Sequence, residues 1–315
     1  PPLFFFKQKT AYEIGVRLVG SEMCKETGTS ESGEIAILNN QVKPDIAAIT
    51  NVSIGHLDGL RDTESIAREK ANILNFYNDN GVAVLPKDSV FFDFWSKKTN
   101  AKEIISFGYQ ENSDFKVSDI EIDIINNYTN FCLRFDGKKE KFSINGASRH
   151  SPLNAALSVA TAIYCGCPLS NIKKRLKFID LPERRLAISN SLKGSILIDD
   201  SYNSNPASLK NAVDSLEHLK RKKICILGDM KELGSDSQKI HQEMYEYLSA
   251  RVDQIFCIGD EWSTCSPNEK QDLSIFENQD DLYSHLISII DKKTILLVKG
   301  SRSTRMDLLA DKLKE

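Results

Sequence analysis

The stretch that most constrains this chain runs from Ile196 to Leu209, Ile-Leu-Ile-Asp-Asp-Ser-Tyr-Asn-Ser-Asn-Pro-Ala-Ser-Leu. Ile196, Leu197 and Ile198 make a short apolar run suited to a buried strand. Asp199 and Asp200 stand where that strand should end. Asn205 is placed to cap a helix and Pro206 to occupy its first position. Leu209, Val213, Leu216 and Leu219 then recur on one helical face. A strand, a loop of acids and amides and a capped helix is how open α/β sheets present ligand groups at their strand ends. An ordinary turn would also use Asp, Asn and Ser. It would not require six polar groups, Asp199, Asp200, Ser201, Tyr202, Asn203 and Asn205, in one loop.

The same pattern recurs downstream. Apolar runs at Ile224 to Leu227, Ile255 to Ile258 and Ile295 to Val298 alternate with helical stretches, the doubly wound arrangement. The second strand ends in Gly228-Asp-Met-Lys-Glu-Leu-Gly234 and the fourth in Lys299-Gly-Ser-Arg302, so Asp229, Lys299 and Ser301 are candidate ligand groups. His241 falls near the start of a helix, where capping is the plainer role.

Upstream, a short helix is expected from Gly33 to Leu38, and a buried strand, Ile46 to Ile49, ends at Thr50 and Asn51, with His56 beyond it. A helix from about Glu64 to Tyr77 places Ile66, Ile73 and Tyr77 on one face with Lys70 in its middle. That lysine either snorkels outward or, if desolvated, loses its proton readily and becomes a nucleophile. Strands follow at Val82 to Leu85 and Ile104 to Tyr109, then a meander in which Ile120, Ile122 and Ile124 answer Phe131, Leu133 and Phe135. Ser151 and Pro152 open a helix with Leu153, Ala156, Leu157, Ala160 and Tyr164 inside, and His150 and Asn154 flank its start. Pro182-Glu-Arg-Arg-Leu186 marks a boundary between domains, with two arginines consistent with phosphate binding or, as is commoner for a hinge arginine, with surface salt bridges.

At 315 residues and 41% hydrophobic, the chain can build two cores. A net charge of −3 gives no reason to expect nucleic acid or an anionic membrane as partner. No apolar run reaches membrane-spanning length. Seven scattered cysteines, including the unmatched pair Cys165 and Cys167, read as free thiols in a reducing compartment, so the cytoplasm is expected.

Asp-Asp-Ser-Tyr-Asn-Ser-Asn-Pro, residues 199–206, resembles the signature of the Mur ligase family, in the form carried by the member that adds D-alanyl-D-alanine. Further strings agree: Thr50-Asn-Val-Ser-Ile-Gly-His-Leu-Asp58, Ser65-Ile-Ala-Arg-Glu-Lys70, Gly146 with His150 and Asn154, Arg185-Leu186, and Lys299-Gly-Ser-Arg302 with Met306. Two positions depart from the family: Ser151 replaces the asparagine usual after His150, and Arg184 replaces the glycine usual before Arg185.

The resemblance implies an α/β fold, a partial P-loop-type central domain (28–181) followed by a Rossmann-like doubly wound C-terminal domain (182–315). It implies an ATP-dependent amide-forming ligase with Mg²⁺, taking UDP-N-acetylmuramoyl-tripeptide and D-alanyl-D-alanine as a monomer. Lys70, as a carbamate, and His56 would serve catalysis and metal. Asn51, His150, Asn154, Arg185, Asp200, Tyr202, Asn203 and Asn205 would hold nucleotide, and Asp229, Lys299 and Ser301 the incoming dipeptide or domain closure. No Gly-x-x-x-x-Gly-Lys-Ser/Thr occurs in the chain. Residues 1–27 carry strings resembling translated sequencing-library adapters, so the native sequence is expected to start near Gly28 and the chain to be a fragment with little ligase activity alone. Another Mur or folylpolyglutamate-type ligase, or a non-catalytic nucleotide-binding scaffold, are the rival readings.

Overall fold

The computed structural model describes residues 3–7, 23–27, 32–52, 62–123, 126–146, 151–178, 183–217, 219–267 and 273–315. Two compact units emerge: Pro1–Glu121, Thr129–Ile144 and His150–Ile179 form the first, and Ile122–Tyr128, Asn145–Arg149 and Asp180–Glu315 the second.

The first unit carries strands β1 (Leu3–Lys7), β2 (Met23–Thr27), β3 (Ile46–Ile49), β4 (Val82–Pro86), β5 (Glu103–Gly108), β6 (Phe115–Asp123), β7 (Tyr128–Phe135) and β8 (Lys138–Asn145), in sheet order β2-β1-β3-β4-β5-β6-β7-β8. The two strands within residues 1–27 pair with each other, and β1 pairs antiparallel with β3. From β3 to β6 the pairing is parallel. Helices α1 (Glu34–Val42), α2 (Thr63–Ala71) and α3 (Phe92–Lys98) pack on one face through Ala47, Ile49, Ala83 and Leu85. Helix α4 (Ser151–Tyr164) and α5 (Leu169–Leu176) cover the other through Ile46, Ala48, Val84, Ile105 and Phe107. Alternate residues of one strand thus feed two cores, which is why β3 is apolar throughout.

The helix expected to reach Tyr77 stops earlier: α2 ends at Ala71, a 3₁₀ turn takes Asn72–Leu74, and Tyr77 is 54% exposed. In β6 the inward parity changes, Phe115 and Val117 being buried and Ile120 packing on the core from the next register, because Asp119 sits at φ 48°. A one-residue parity change of this kind is a bulge. Glu69, 4% exposed, turns its carboxylate to the start of α1 and accepts from Gly33 N and Ile35 N at 2.9 Å each, tying α2 to α1.

The second unit carries β9 (Ala187–Ser191), β10 (Ser195–Asp200), β11 (Lys222–Gly228), β12 (Gln254–Ile258), β13 (Leu273–Phe276) and β14 (Thr294–Lys299), ordered β13-β12-β11-β14-β10-β9. All neighbours are parallel except β9, which runs antiparallel to β10. Helices α6 (Pro206–Asp214), α7 (Ser237–Ser249) and α8 (Asp260–Ser263) lie on one face of the sheet. Helices α9 (Gln279–Ile289) and α10 (Met306–Leu313) lie on the other. Asn205 caps α6 in a reciprocal capping box with Ser208, and Pro206 occupies the first turn. The helix ends at Asp214, so Leu216 is buried from the turn that follows it. Among the described residues no helix is long and apolar enough to cross a membrane.

Candidate functional site

In the second unit the candidate groups gather at the carboxyl ends of β10, β11 and β14, where an open parallel sheet offers its crevice. Lys299, last in β14 and 2% exposed, donates to Asp200 Oδ2 and, at 2.9 Å, to the Asn203 carbonyl. Asp200 Oδ1 accepts from Leu186 N at 3.1 Å. Burial pushes the Asp200 carboxyl up and the Lys299 ammonium down, while each attracts the other back toward its charged form. The contact geometry makes this a buried ion pair. Tyr202 is half exposed, its N donates to Arg184 O at 3.0 Å, and the Arg185 guanidinium lies 4.4 Å from its ring centroid. Arg184, where a glycine is usual, has φ 62°, the region glycine adopts freely; ion pairs to Asp311 and Asp307 of α10 hold it there.

Asp229 and Ser301 knit the next two strand ends. Ser301 N donates to Asp229 O at 3.0 Å, and Ser301 Oγ accepts from Lys231 N at 2.8 Å and donates to Ser204 O. Asp229, 3% exposed, pairs with Lys231 at 2.9 Å, which raises the lysine's pKa. Gly228 and Gly300 face each other so closely that a Cβ on either would come within 2.5 Å of Thr304 Oγ1. The result is a cavity of about 440 Å³ walled by Asn203, Lys231, Ser301, Arg302 and Arg305 with one acid, Glu232. Its three cations, Lys231, Arg302 and Arg305, are not adjacent in sequence and were not candidates from the chain alone, whereas the wall residues Asn203 and Ser301 and the neighbouring Asp229 were.

Asn203 gives its side-chain oxygen to Ser204 N, and Asn205 gives its own to the α6 cap, so both amides first shape the loop. His241 is wholly buried in α7. Its Nε2 accepts from Met230 N at 3.1 Å and its Nδ1 faces Ser237 O at 2.8 Å, which fixes the neutral Nδ1–H tautomer. Burial lowers its pKa below the usual 6.5. A depressed folded pKa means the contribution is complete above about pH 6.5 and is lost as pH falls through the folded value. Urea midpoints of the second unit should therefore drop from pH 7.5 to 5, and His241→Gln should flatten that slope.

In the first unit Lys70 is 3% exposed, and its Nζ donates to Asn51 O at 2.7 Å, beside the carboxyl end of β3. Burial lowers its pKa to about 8. At pH 7 roughly one amine in ten is then neutral, against roughly one in three thousand for an ordinary lysine. The buried stripe thus keeps the whole side chain inside, and the outward snorkel does not occur. Asn154 lies in the first turn of α4. His56 and His150 lie outside the described residues, and among those described no group of three or more His, Cys, Asp or Glu side chains could hold a metal ion.

The Mur ligase middle domain matches residues 7–162, and the Mur ligase glutamate ligase domain matches residues 184–302. The chain belongs to the Mur ligase family. The first of these matches starts at residue 7, within the segment set apart on its adapter-like strings. The UDP-N-acetylmuramoyl-tripeptide–D-alanyl-D-alanine ligase of Buchnera aphidicola (strain APS) is 32% identical over 299 residues, 92% of this chain and 64% of that protein. The enzyme of the same name from Escherichia coli K12 is 27% identical, with the same shares. A crystal structure of MurF from Acinetobacter baumannii superposes with a TM-score of 0.82 at 28% identity, covering 91% of this Mur ligase chain and 63% of that one. The Mur ligase chain thus spans just under two thirds of the relatives it matches.

Proposed function

We propose that this Mur ligase chain contributes the nucleotide-gripping and acceptor-binding parts of an ATP-dependent ligase that joins D-alanyl-D-alanine to UDP-N-acetylmuramoyl-tripeptide. The observation that carries the reading is the second unit's crevice, where Tyr202 of an aromatic–guanidinium platform is followed in the chain by Asn203, which lines a three-cation cavity with Ser301. The platform of Tyr202 and Arg185, with the buried Asp200, suits a nucleotide's base, ribose and phosphate charge. Asn51, His150 and Asn154 would serve nucleotide from the first unit. The cavity suits a small acceptor with one carboxylate, which Lys231 and Arg302 would hold while Asp229 keeps Lys231 in place. D-alanyl-D-alanine is such an acceptor.

In the proposed reaction the tripeptide carboxylate attacks the γ-phosphorus of ATP and ADP leaves, giving an acyl phosphate. The dipeptide amine then attacks the acyl carbonyl, loses a proton, and phosphate departs as the amide forms. The neutral fraction of the Lys70 amine supports attack of its nitrogen on carbon dioxide with loss of one proton, giving a carbamate whose single negative charge is shared by two oxygens. Such an oxygen donor suits Mg²⁺, which Lys70 as a carbamate and His56 would hold and which when bound would spread charge developing on the transferred phosphoryl group.

The test joins the chain to the part of a relative that it does not span and follows phosphate release. Release should require ATP, Mg²⁺, the UDP-linked tripeptide and D-alanyl-D-alanine together. Equal turnover with glutamate or a diamino acid in place of the dipeptide would point to another member of the family. Absence of release under all conditions would favour the scaffold reading.

A further inference from the structure

We propose that Lys299 is a positioning residue for the loop at residues 200–205, acting through Asp200 rather than by touching the incoming dipeptide; the functional meaning of that loop rests on the nucleotide reading above. The geometry leaves the ammonium little else to do. It is 2% exposed, two of its three N–H donors go to Asp200 Oδ2 and Asn203 O, and it is absent from the walls of the cation-lined cavity although its neighbours Ser301 and Arg302 belong to them.

What Lys299 holds is a relay. Asp200, fixed at Oδ2, offers Oδ1 to Leu186 N. Leu186 has φ 52° and Arg184 φ 62°, so the backbone on both sides of Arg185 sits in the left-handed region. Side-chain-bearing residues stay there only when neighbouring contacts enforce it. The enforcing contacts are three: Asp200 to Leu186 N, Tyr202 N to Arg184 O, and the Arg184 ion pairs to α10. With the backbone so held, the Arg185 guanidinium lies against the Tyr202 ring. Loss of Lys299 would leave Asp200 buried without its counter-charge and Asn203 O without its donor. The carboxylate then protonates or turns to water, the Leu186 contact loosens, and Arg185 leaves the ring.

The experiment uses the full chain and two readouts. Aromatic ring current shifts the Arg185 Nε–Hε and Cδ–H resonances upfield while the stack persists, and a fluorescent ADP derivative reports nucleotide affinity. Lys299→Met is expected to abolish the upfield shift and raise the nucleotide Kd at least tenfold, with a smaller change in D-alanyl-D-alanine affinity because Asn203, which it anchors, lines that cavity. Lys299→Arg, which can still donate to both acceptors, should restore most of each. Should Lys299→Met not fold, the double variant Lys299→Met with Asp200→Asn buries no unpaired charge and removes the same anchor on Asn203. It too should lose the shift. A folded variant of either kind with the stack intact overturns the proposal, and so does a dipeptide affinity that falls while the stack persists. A parent chain that binds no nucleotide would sink the nucleotide reading alone, since the ring-current readout still decides whether Lys299 positions the loop.

Discussion

Lys70→Met is expected to make the first unit more stable, by about 2 kcal/mol at pH 7. The drop in pKa from 10.5 to about 8 corresponds to about 3 kcal/mol of penalty for carrying the ammonium into the interior, at 1.36 kcal/mol per unit. The lost hydrogen bond to Asn51 O offsets about 1 kcal/mol of that gain. Methionine keeps the length and apolar character of the stem. The sign follows from the depressed folded value: below about pH 8 the folded chain bears the full penalty, which fades as pH rises from about 8 to 10.5. Urea melts at pH 7 and pH 10 should show the variant well ahead at the first and level at the second. The same variant should lose any carbamate signal seen by carbon-13 NMR in labelled bicarbonate. A residue whose removal stabilises the fold is kept for chemistry, so parity of the two proteins at pH 7 would weaken the case for Lys70 as a reactive group.

Trp262→Ala is expected to cost about 3–5 kcal/mol in the second unit. The indole is wholly buried, its Nε1 donates to Gly228 O at 3.0 Å, and its ring meets the His241 imidazole edge-on at 4.7 Å. Removing it opens a cavity under the β11 end, while the backbone N of residue 262 that donates to Asp229 Oδ1 is retained. Trp262→Phe should restore most of the packing and still cost about 1–2 kcal/mol for the unpaired Gly228 carbonyl. Denaturant midpoints across the three proteins measure both terms. A loss under 1 kcal/mol for the alanine variant would mean that the core collapses onto the gap.

The buried parallel strands and the capped α6 were legible because their signals are local: an apolar run between turn residues, or Asn-Pro ahead of a periodic helix. The edge strands β9 and β13 were not. Ala-Ile-Ser-Asn-Ser and Leu-Ser-Ile-Phe are short and face the core on one side only, so no continuous apolar run marks them. Tyr77 was placed inside because the helical period was extended past Leu74, where the backbone tightens to 3₁₀. The polar loop at residues 199–205 announced itself through crowding, yet its inner division of labour did not. That Asp200 answers Lys299, 99 residues away, is a product of strand order β14-β10, which no spacing encodes. The same holds for Lys231 with Arg302 and Arg305, brought together by the pairing of β11 with β14.

The carboxylate that Glu69 lends to Gly33 and Ile35 decides something about anions in the first unit. A helix start ordinarily welcomes phosphate, because its free amides and axial field favour negative charge. At α1 that invitation is already answered from within the protein by the residue next to Lys70, and a polyphosphate arriving there would have to evict its own kind of charge first. Any phosphate this unit accommodates must therefore find amides or cations other than those at the head of α1.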